Sequence, residues 1–428
     1  MAEVTETVRI EKLVHGGQGL ATLTSGQKVF VWNALPGELV RARVFRKKRS
    51  FAEAIAEEII EASAERIAPQ EQNYLATSPW QIMRYDAEGA HKQAITEELL
   101  AHEHVELPAS GVQLHETPPD DAHFFHYRNK MEYSFWGDGE GLHMALHNRG
   151  SHQKSVVQGS ALALPAVDRA AHALLGELQK RNPRAGDLKT MIIRCSQEGK
   201  AVISLFVKLE KFAKLELPEG VQGLRVYHSN PKSPASVPTK LLYELGDVQL
   251  HDTLLGKTFV YDADSFFQVN LPIFEHALKR IKSFCTEGDV TDMYAGVGSI
   301  GLSVAGKHVD LVELDPATAA MARVNAANSE LEASVIEQSA ETDPNTHIYC
   351  DGGMLIFDPP RAGLHKKVVE AVQAILPPKI IYLSCNPATQ ARDLALLQDE
   401  YTVEHLEVFN FFPRTPHIES LAVLVAKP

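Results

Sequence analysis

The stretch DVTDMYAGVGSIGL, Asp289–Leu302, decides how the C-terminal part of the chain folds. An apolar run, a glycine-rich turn and a helix-compatible segment follow one another, so a strand hands over to a helix through a tight turn. Its Gly296-x-Gly298-x-x-Gly301 matches the dinucleotide fingerprint, and by itself it leaves both a nicotinamide cofactor and S-adenosylmethionine open.

Outward from this motif, strands and helices alternate from about Asp262, which predicts an α/β fold: a parallel, Rossmann-like sheet with helices on both faces. HVDLVELDPATAAMARVNAANSE, His308–Glu330, supplies the next strand, ending in Glu313, and then a helix with Asp315 as cap and Pro316 at its first position. An acid at that strand end hydrogen-bonds ribose hydroxyls in either cofactor class, which makes Glu313 a binding candidate. Upstream, SFFQVNLPIFEHALKRI places Gln268 and Asn270 directly before a helix, where a core needs no polar groups; a buried Phe pair accounts for the rest. Downstream, MLIFDPPRAGL ends a hydrophobic strand in Asp358-Pro359-Pro360-Arg361. The prolines stiffen the backbone, and the acid can accept from a base edge or a cofactor. Nicotinamide enzymes have no use for this corner, and amino-group methyltransferases follow theirs with a stacking aromatic. Here Arg361 follows, which directs attention to ring-carbon chemistry.

IIYLSCNPATQARDL, Ile380–Leu394, is a buried strand that delivers Cys385 to its carboxyl end, where ligands bind in open α/β sheets. A single free Cys is more often a small buried hydrophobe. FNFFPRTPHIESLAVLVAK, Phe409–Lys427, then sets Glu419 between two apolar strands, an odd place for a surface charge, although a turn-capping role also explains it.

The 428 residues suffice for two or three domains, here 1–65, 66–255 and 256–428. Hydrophobic and charged fractions of 44% and 23% are those of a globular protein, no apolar run is long enough for a membrane span, and the N-terminus lacks a signal-peptide layout. A cytoplasmic monomer is expected. Four widely spaced cysteines, Cys195, Cys285, Cys350 and Cys385, form no CxxC and argue against disulfides or a cysteine metal cluster. The net charge of −13 does not itself suggest a nucleic-acid partner, but RARVFRKKR, Arg41–Arg49, concentrates six basic residues in nine. Screening over about 10 Å lets such a stripe, with Arg46, Lys47 and Lys48 at its centre, contact phosphates despite the acidic remainder; a solvated charged strand is the plain alternative.

From Thr7 to about Ser63 short β-favouring runs alternate with glycine turns in the rhythm of a small antiparallel barrel. HKQAITEELLAHEH, His91–His104, has helical apolar spacing at Ile95, Leu99 and Leu100, and HETPPDDAHFF, His115–Phe125, is a loop. YRNKMEYSF, Tyr127–Phe135, opens a second β-rich region; Arg128 and Lys130 suit either a polar loop or RNA contact, and His143, His147, Arg149, His152 and Lys154 add polar groups without metal spacing.

Taken together, DMYAGVGSIGL, DPPRAGL, LSCNPATQARDL and FPRTPHIESLAVL resemble the class I S-adenosylmethionine-dependent RNA (uracil-5-)-methyltransferases, of the type acting on 23S rRNA. The N-terminal segment resembles a TRAM domain, an OB-like RNA-binding barrel, in Gly16-Gly17-Gln18-Gly19, in Leu35-Pro36-Gly37-Glu38 and in the basic strand that follows. The resemblance implies a Rossmann-like catalytic domain, a central β-rich α+β domain and the barrel. It implies S-adenosylmethionine held by Gln268, Tyr294, Gly296, Gly298, Glu313 and Asp358, with Cys385 as nucleophile on C6 of uracil and Glu419 as base. Relatives often hold an iron–sulfur cluster on four cysteines; between Pro69 and Glu88 this chain has none, so no cluster is expected. Ala295 and Ser299 also depart from the Cys and Asn of relatives. Ribosomal RNA is favoured over transfer RNA by the barrel. An amino-group nucleic-acid methyltransferase, or an RNA-binding module that keeps the fold as scaffold, are the competing readings.

Overall fold

The computed structural model describes residues 4–116, 124–149, 153–234, 236–285, 288–342 and 353–428; Cys350, His152 and most of the expected loop at 115–125 lie outside them. The chain divides into two compact units: Met1–His91, Pro118–Val248 and Phe412–Pro416 in the first, and Lys92–Thr117, Gln249–Phe411 and His417–Pro428 in the second. The chain therefore passes between units several times, after His91, Val248, Phe411 and Pro416 among the described residues, and not only near residue 256.

In the first unit the N-terminal sheet has the order Val4–Arg9, Leu39–Lys47, Phe51–Glu61, Lys28–Trp32, Gly19–Thr22, Lys12–Leu13. Strict alternation drives it: Val29 and Val31 are buried while Lys28, Phe30 and Trp32, which alternate with them, face outward. Their inner partners are the small Ala42, Ala52, Ala54 and Ala56, which let the sheet curl tightly around one core. The barrel is not wholly antiparallel as expected. Lys28–Trp32 runs parallel to Phe51–Glu61, because Leu39–Lys47 carries the chain past that position before Phe51–Glu61 returns into it.

A seven-stranded sheet with its own core follows in the order Lys154–Val156, Gly141–His147, Lys130–Asp138, Leu188–Cys195, Ala201–Val207, Val221–His228, Lys240–Gly246. Helix Pro165–Arg181 covers one face with Val167, Ala170, Ala171, Leu174 and Leu178, one helical stripe. Between Pro69 and Glu88, a stretch without cysteine, the Glu71 carboxylate gathers hydrogen bonds from Thr77, Ser78, Gln81 and the Ala161 amide at 2.9–3.1 Å.

The second unit holds an eight-stranded sheet, ordered Glu332–Glu337, His308–Glu313, Val290–Met293, Met354–Phe357, Lys379–Ser384, Glu419–Ala426, Tyr401–Phe409, Val112–His115. The first five are parallel, and Glu419–Ala426 is antiparallel to both its neighbours. All four residues of Val290–Met293 and of Met354–Phe357 are buried, as strands covered on both faces must be. Two expectations change. The helix read at 91–104 spans Tyr85–His102, its first turn carrying Asp86 and Glu88. His115 belongs to a strand rather than a loop: Val112–His115 pairs with Tyr401–Phe409, and the His115 ring stacks on Phe409 at 4.5 Å. The strand does not follow from local propensity, because its pairing partner lies about 290 residues away along the chain.

Candidate active site

Strand order reverses between Val290–Met293 and Met354–Phe357, and the crevice outside the carboxyl ends at such a point is where α/β sheets bind ligands. Tyr294, Glu313, Asp358 and Cys385 stand at or just beyond those carboxyl ends. Glu419 reaches the same edge because its strand runs the other way, Ser384 pairing with Ser420. The sheet thus brings together residues that lie between 19 and 125 positions apart in sequence.

Cys385 is half-buried between Ser384 and Asn386, the latter capping helix Pro387–Leu397 through its side chain. The Asn386 amide also donates to the Arg361 carbonyl at 2.8 Å, and Thr389 Oγ1 donates to the same oxygen at 3.2 Å. These contacts fasten the Asp358–Leu364 corner to the cysteine helix, and Arg361 hydrogen-bonds the thiol. Burial pushes the Cys385 thiol up to about 11, the Glu419 and Asp358 charges push it the same way, and Arg361 opposes them. Burial and the two acids together outweigh Arg361, so the folded chain favours the protonated thiol. Glu419 is buried, its Oε1 has no hydrogen-bond partner, and burial followed by Asp358 holds its carboxyl well above the usual range against the pull of Arg361. Burial also lifts Asp358, to about 7.

At the glycine-rich turn the backbone of Tyr294 is left-handed, φ 71°, and its buried hydroxyl has no partner. Gly296, at φ 57°, would meet nothing within 4 Å if it carried a Cβ, so the turn faces open space there. Its amide donates to Glu313 Oε2 at 2.9 Å, while Glu313 Oε1 accepts from the Asp315 amide at 2.7 Å. Gly298 closes the turn onto the Ala295 carbonyl. The unpartnered hydroxyl, the open glycine and the strand-end carboxylate form a cradle of the kind a nucleoside-bearing cofactor fits. Gln268 is buried ahead of helix Leu271–Phe284. Asn270, by contrast, is structural: its amide donates to the Phe411 carbonyl at 2.9 Å. Sequence reading missed Asp292, buried inside the strand, where burial lifts its carboxyl to about 8 although Oδ2 accepts the Gly301 amide at 2.7 Å. An acid in the middle of an apolar strand was the available signal.

The RNA-contact candidates all lie in the first unit. Much of the basic stripe is neutralised by the next strand: Arg41 pairs with Glu58, Arg43 with Glu57 and Arg46 with Glu53. Lys48 lies over the Phe51 ring, and Lys47 is exposed. Arg128 Nε is buried without a partner, and Lys130 opens its strand.

Counting strands from Val290, the sheet order 3-2-1-4-5-7-6 inserts a reversed strand into the dinucleotide-binding arrangement. With the strand-end turn and acids, this defines a class I methyltransferase domain. Residues 347–427 match the tRNA (Uracil-5-)-methyltransferase family model and residues 4–56 the TRAM domain model. An uncharacterized RNA methyltransferase of Lactobacillus johnsonii is 30% identical over 97% of both chains, and one of Thermotoga maritima 28% identical over 98% of this chain and 99% of its own. Among solved structures, Pyrococcus abyssi tRNA (uracil-54, C5)-methyltransferase in complex with S-adenosyl-L-homocysteine superposes with a TM-score of 0.76 at 21% identity, covering 98% of this chain and 100% of that one. The chain belongs to the RNA (uracil-5-)-methyltransferase family with an N-terminal TRAM domain.

Proposed function

We propose that the protein methylates C5 of a specific uridine in RNA, using S-adenosylmethionine and a covalent Cys385 adduct. The observation that carries this reading is the convergence of Cys385, Arg361, Asp358 and Glu419 on one sheet edge, with a Glu419 oxygen left without a partner. C5 of uracil is too weak a nucleophile to be alkylated unaided, so a covalent route is required. The Cys385 sulfur adds to C6 once its proton has left, Arg361 stabilising the thiolate, and the ring becomes an enolate nucleophilic at C5. Tyr294, Gly296, Gly298, Glu313 and Gln268 would hold S-adenosylmethionine, which would supply the electrophilic methyl group to C5 and leave as S-adenosylhomocysteine. The Glu419 carboxylate then takes the C5 proton, and the C6–S bond breaks to return Cys385. A carboxyl whose proton affinity is raised by burial and by Asp358 is a stronger base than an exposed one once ionised. Asp358 lies beside the thiol, placed to contact the uracil edge or the cofactor.

The barrel, Arg46, Lys47, Lys48, Arg128 and Lys130 hold flanking RNA, and the target base leaves its stack to reach the thiol. Large-subunit ribosomal RNA is the proposed substrate. Transfer RNA is the second reading, favoured by the likeness to the Pyrococcus abyssi enzyme, which spans barrel and catalytic domain alike. Mass-spectrometric mapping of 5-methyluridine in both RNA pools, with and without the gene, decides between them. Cys385→Ala should keep cofactor affinity by calorimetry and lose methylation; turnover by this variant refutes the nucleophile. Glu419→Gln should accumulate a covalent RNA–protein adduct visible on denaturing gels, and its absence counts against the base.

A further inference from the structure

The seven-stranded sheet of the first unit carries a groove that the catalytic chemistry leaves unused. It has a volume of about 680 Å³ and is lined by Phe135, Trp136, Lys154, Gly186, Leu188 and Lys208. Along strand Lys130–Asp138, Phe135 points into the core at 4% exposure, so the alternation turns Trp136 outward, where 45% of it meets solvent. An indole left this open forfeits burial that the fold could have used, and aromatic rings of this kind are common where a partner stacks. Two cations flank it. Lys154 Nζ donates to the Phe135 carbonyl at 3.2 Å, and Lys208 Nζ donates to the Gly186 carbonyl at 2.6 Å. Each ammonium has three donors, so both retain N–H groups for a further acceptor. Among the described residues neither forms an ion pair, in contrast to Arg41, Arg43 and Arg46 of the barrel. Burial and then the charge of Lys208 lower the proton affinity of Lys154, so each cation feels the other. In a chain of net charge −13, a neighbouring pair of uncompensated lysines is not a general surface feature.

We propose that this groove binds a single-stranded segment of the RNA substrate, one base stacking on the Trp136 indole and the flanking phosphates held by Lys154 and Lys208. A stacking platform beside uncompensated cations is the chemistry by which proteins hold unpaired strands. The inference rests on the methyltransferase reading only for calling that RNA the substrate; the binding itself is measured separately.

The test uses the full-length protein and a fluorescein-labelled, uridine-rich 12-nucleotide RNA, with fluorescence anisotropy across a range of potassium chloride concentrations. Trp136→Ala should weaken binding about fivefold to a hundredfold, the range of one lost base stack, and Trp136→Phe should recover most of it. The double variant Lys154→Gln/Lys208→Gln should lower the slope of log K against log salt by about 1.4, two single-strand phosphate contacts. Unchanged far-ultraviolet circular dichroism and melting midpoints establish that each variant is folded. Wild-type affinity in Trp136→Ala together with a wild-type slope in the double variant overturns the inference and leaves the groove to another class of ligand. Should the wild-type protein bind this RNA through the groove yet transfer no methyl group to any RNA, the methyltransferase reading fails and the groove stands.

Discussion

Cys385 sits between opposing influences: burial and two carboxyl groups keep its proton on, and Arg361 alone among its named neighbours favours the anion. With the thiol near 11, only about one molecule in ten thousand carries the thiolate at pH 7. Single-turnover methylation at saturating RNA should therefore climb with pH between 7 and 9, approaching tenfold per unit; a flat profile would show that the thiolate does not limit the reaction. Arg361→Ala removes a charge-assisted hydrogen bond of about 1.5–3 kcal/mol, so the rate at neutral pH should fall roughly tenfold to a hundredfold. The same variant should move the midpoint of the pH profile upward, with partial recovery in Arg361→Lys, and an unmoved midpoint would remove Arg361 from the thiol's environment. At this scale the sequence revealed the residue types and withheld their balance. Arg361 stood out as a departure from the aromatic that amino-group enzymes place there, but its reach to the sulfur depends on how two separate segments lie together.

The Asp358–Leu364 corner is the element that makes that reach possible. It is tied to helix Pro387–Leu397 by Asn386 and Thr389 on the Arg361 carbonyl, and by Asp393, whose Oδ2 accepts from the Leu364 amide and the Tyr382 hydroxyl, both at 2.8 Å. Gly363 is left-handed, φ 77°, and a Cβ there would come within 2.6 Å of the buried Asp393 carboxylate and 2.9 Å of Thr389 Cβ. Gly363→Ala combines backbone strain with a clash and should cost about 1–3 kcal/mol in urea unfolding. It should also lower kcat while leaving cofactor affinity by calorimetry intact. A variant as stable and active as wild type would show that the corner tolerates displacement. In the barrel the basic run Arg41–Arg49 is plain in the sequence, but its neutralisation by Glu53, Glu57 and Glu58 appears only when the two strands are set in register.

For the molecule as a whole, buried acids set the pH dependence of stability. Asp292, Asp358 and Glu419 hold protons in the folded chain that the unfolded chain releases near pH 4. Their stabilising contribution is complete below about pH 4 and is lost as pH rises, through about 7 for Asp358 and about 8 for Asp292. Glu407 works in the opposite direction. Burial alone would raise it, but His115 and Arg280 hold it down to about 2, so its contribution is present above the ordinary range of Glu and disappears only as pH falls through that value. The melting midpoint of Asp358→Asn should match wild type at pH 4 and exceed it at pH 9, while that of Glu407→Gln should lie below wild type at neutral pH. A midpoint for Asp358→Asn below wild type at pH 9 would mean that this carboxylate is stabilised in the folded state.

The sequence alone determined the alternation of strands and helices, the glycine-rich turn, the Asp315 cap, and the identity of the thiol and the acids near strand ends, because these follow from local periodicity, turn chemistry and spacing. Tertiary structure alone decided that Val112–His115 completes the sheet edge, that Glu419 arrives at the thiol by way of a reversed strand, and that the thiol is held protonated. Those outcomes depend on strand pairing, burial and the mutual repulsion of charges from distant segments. No window of sequence contains them.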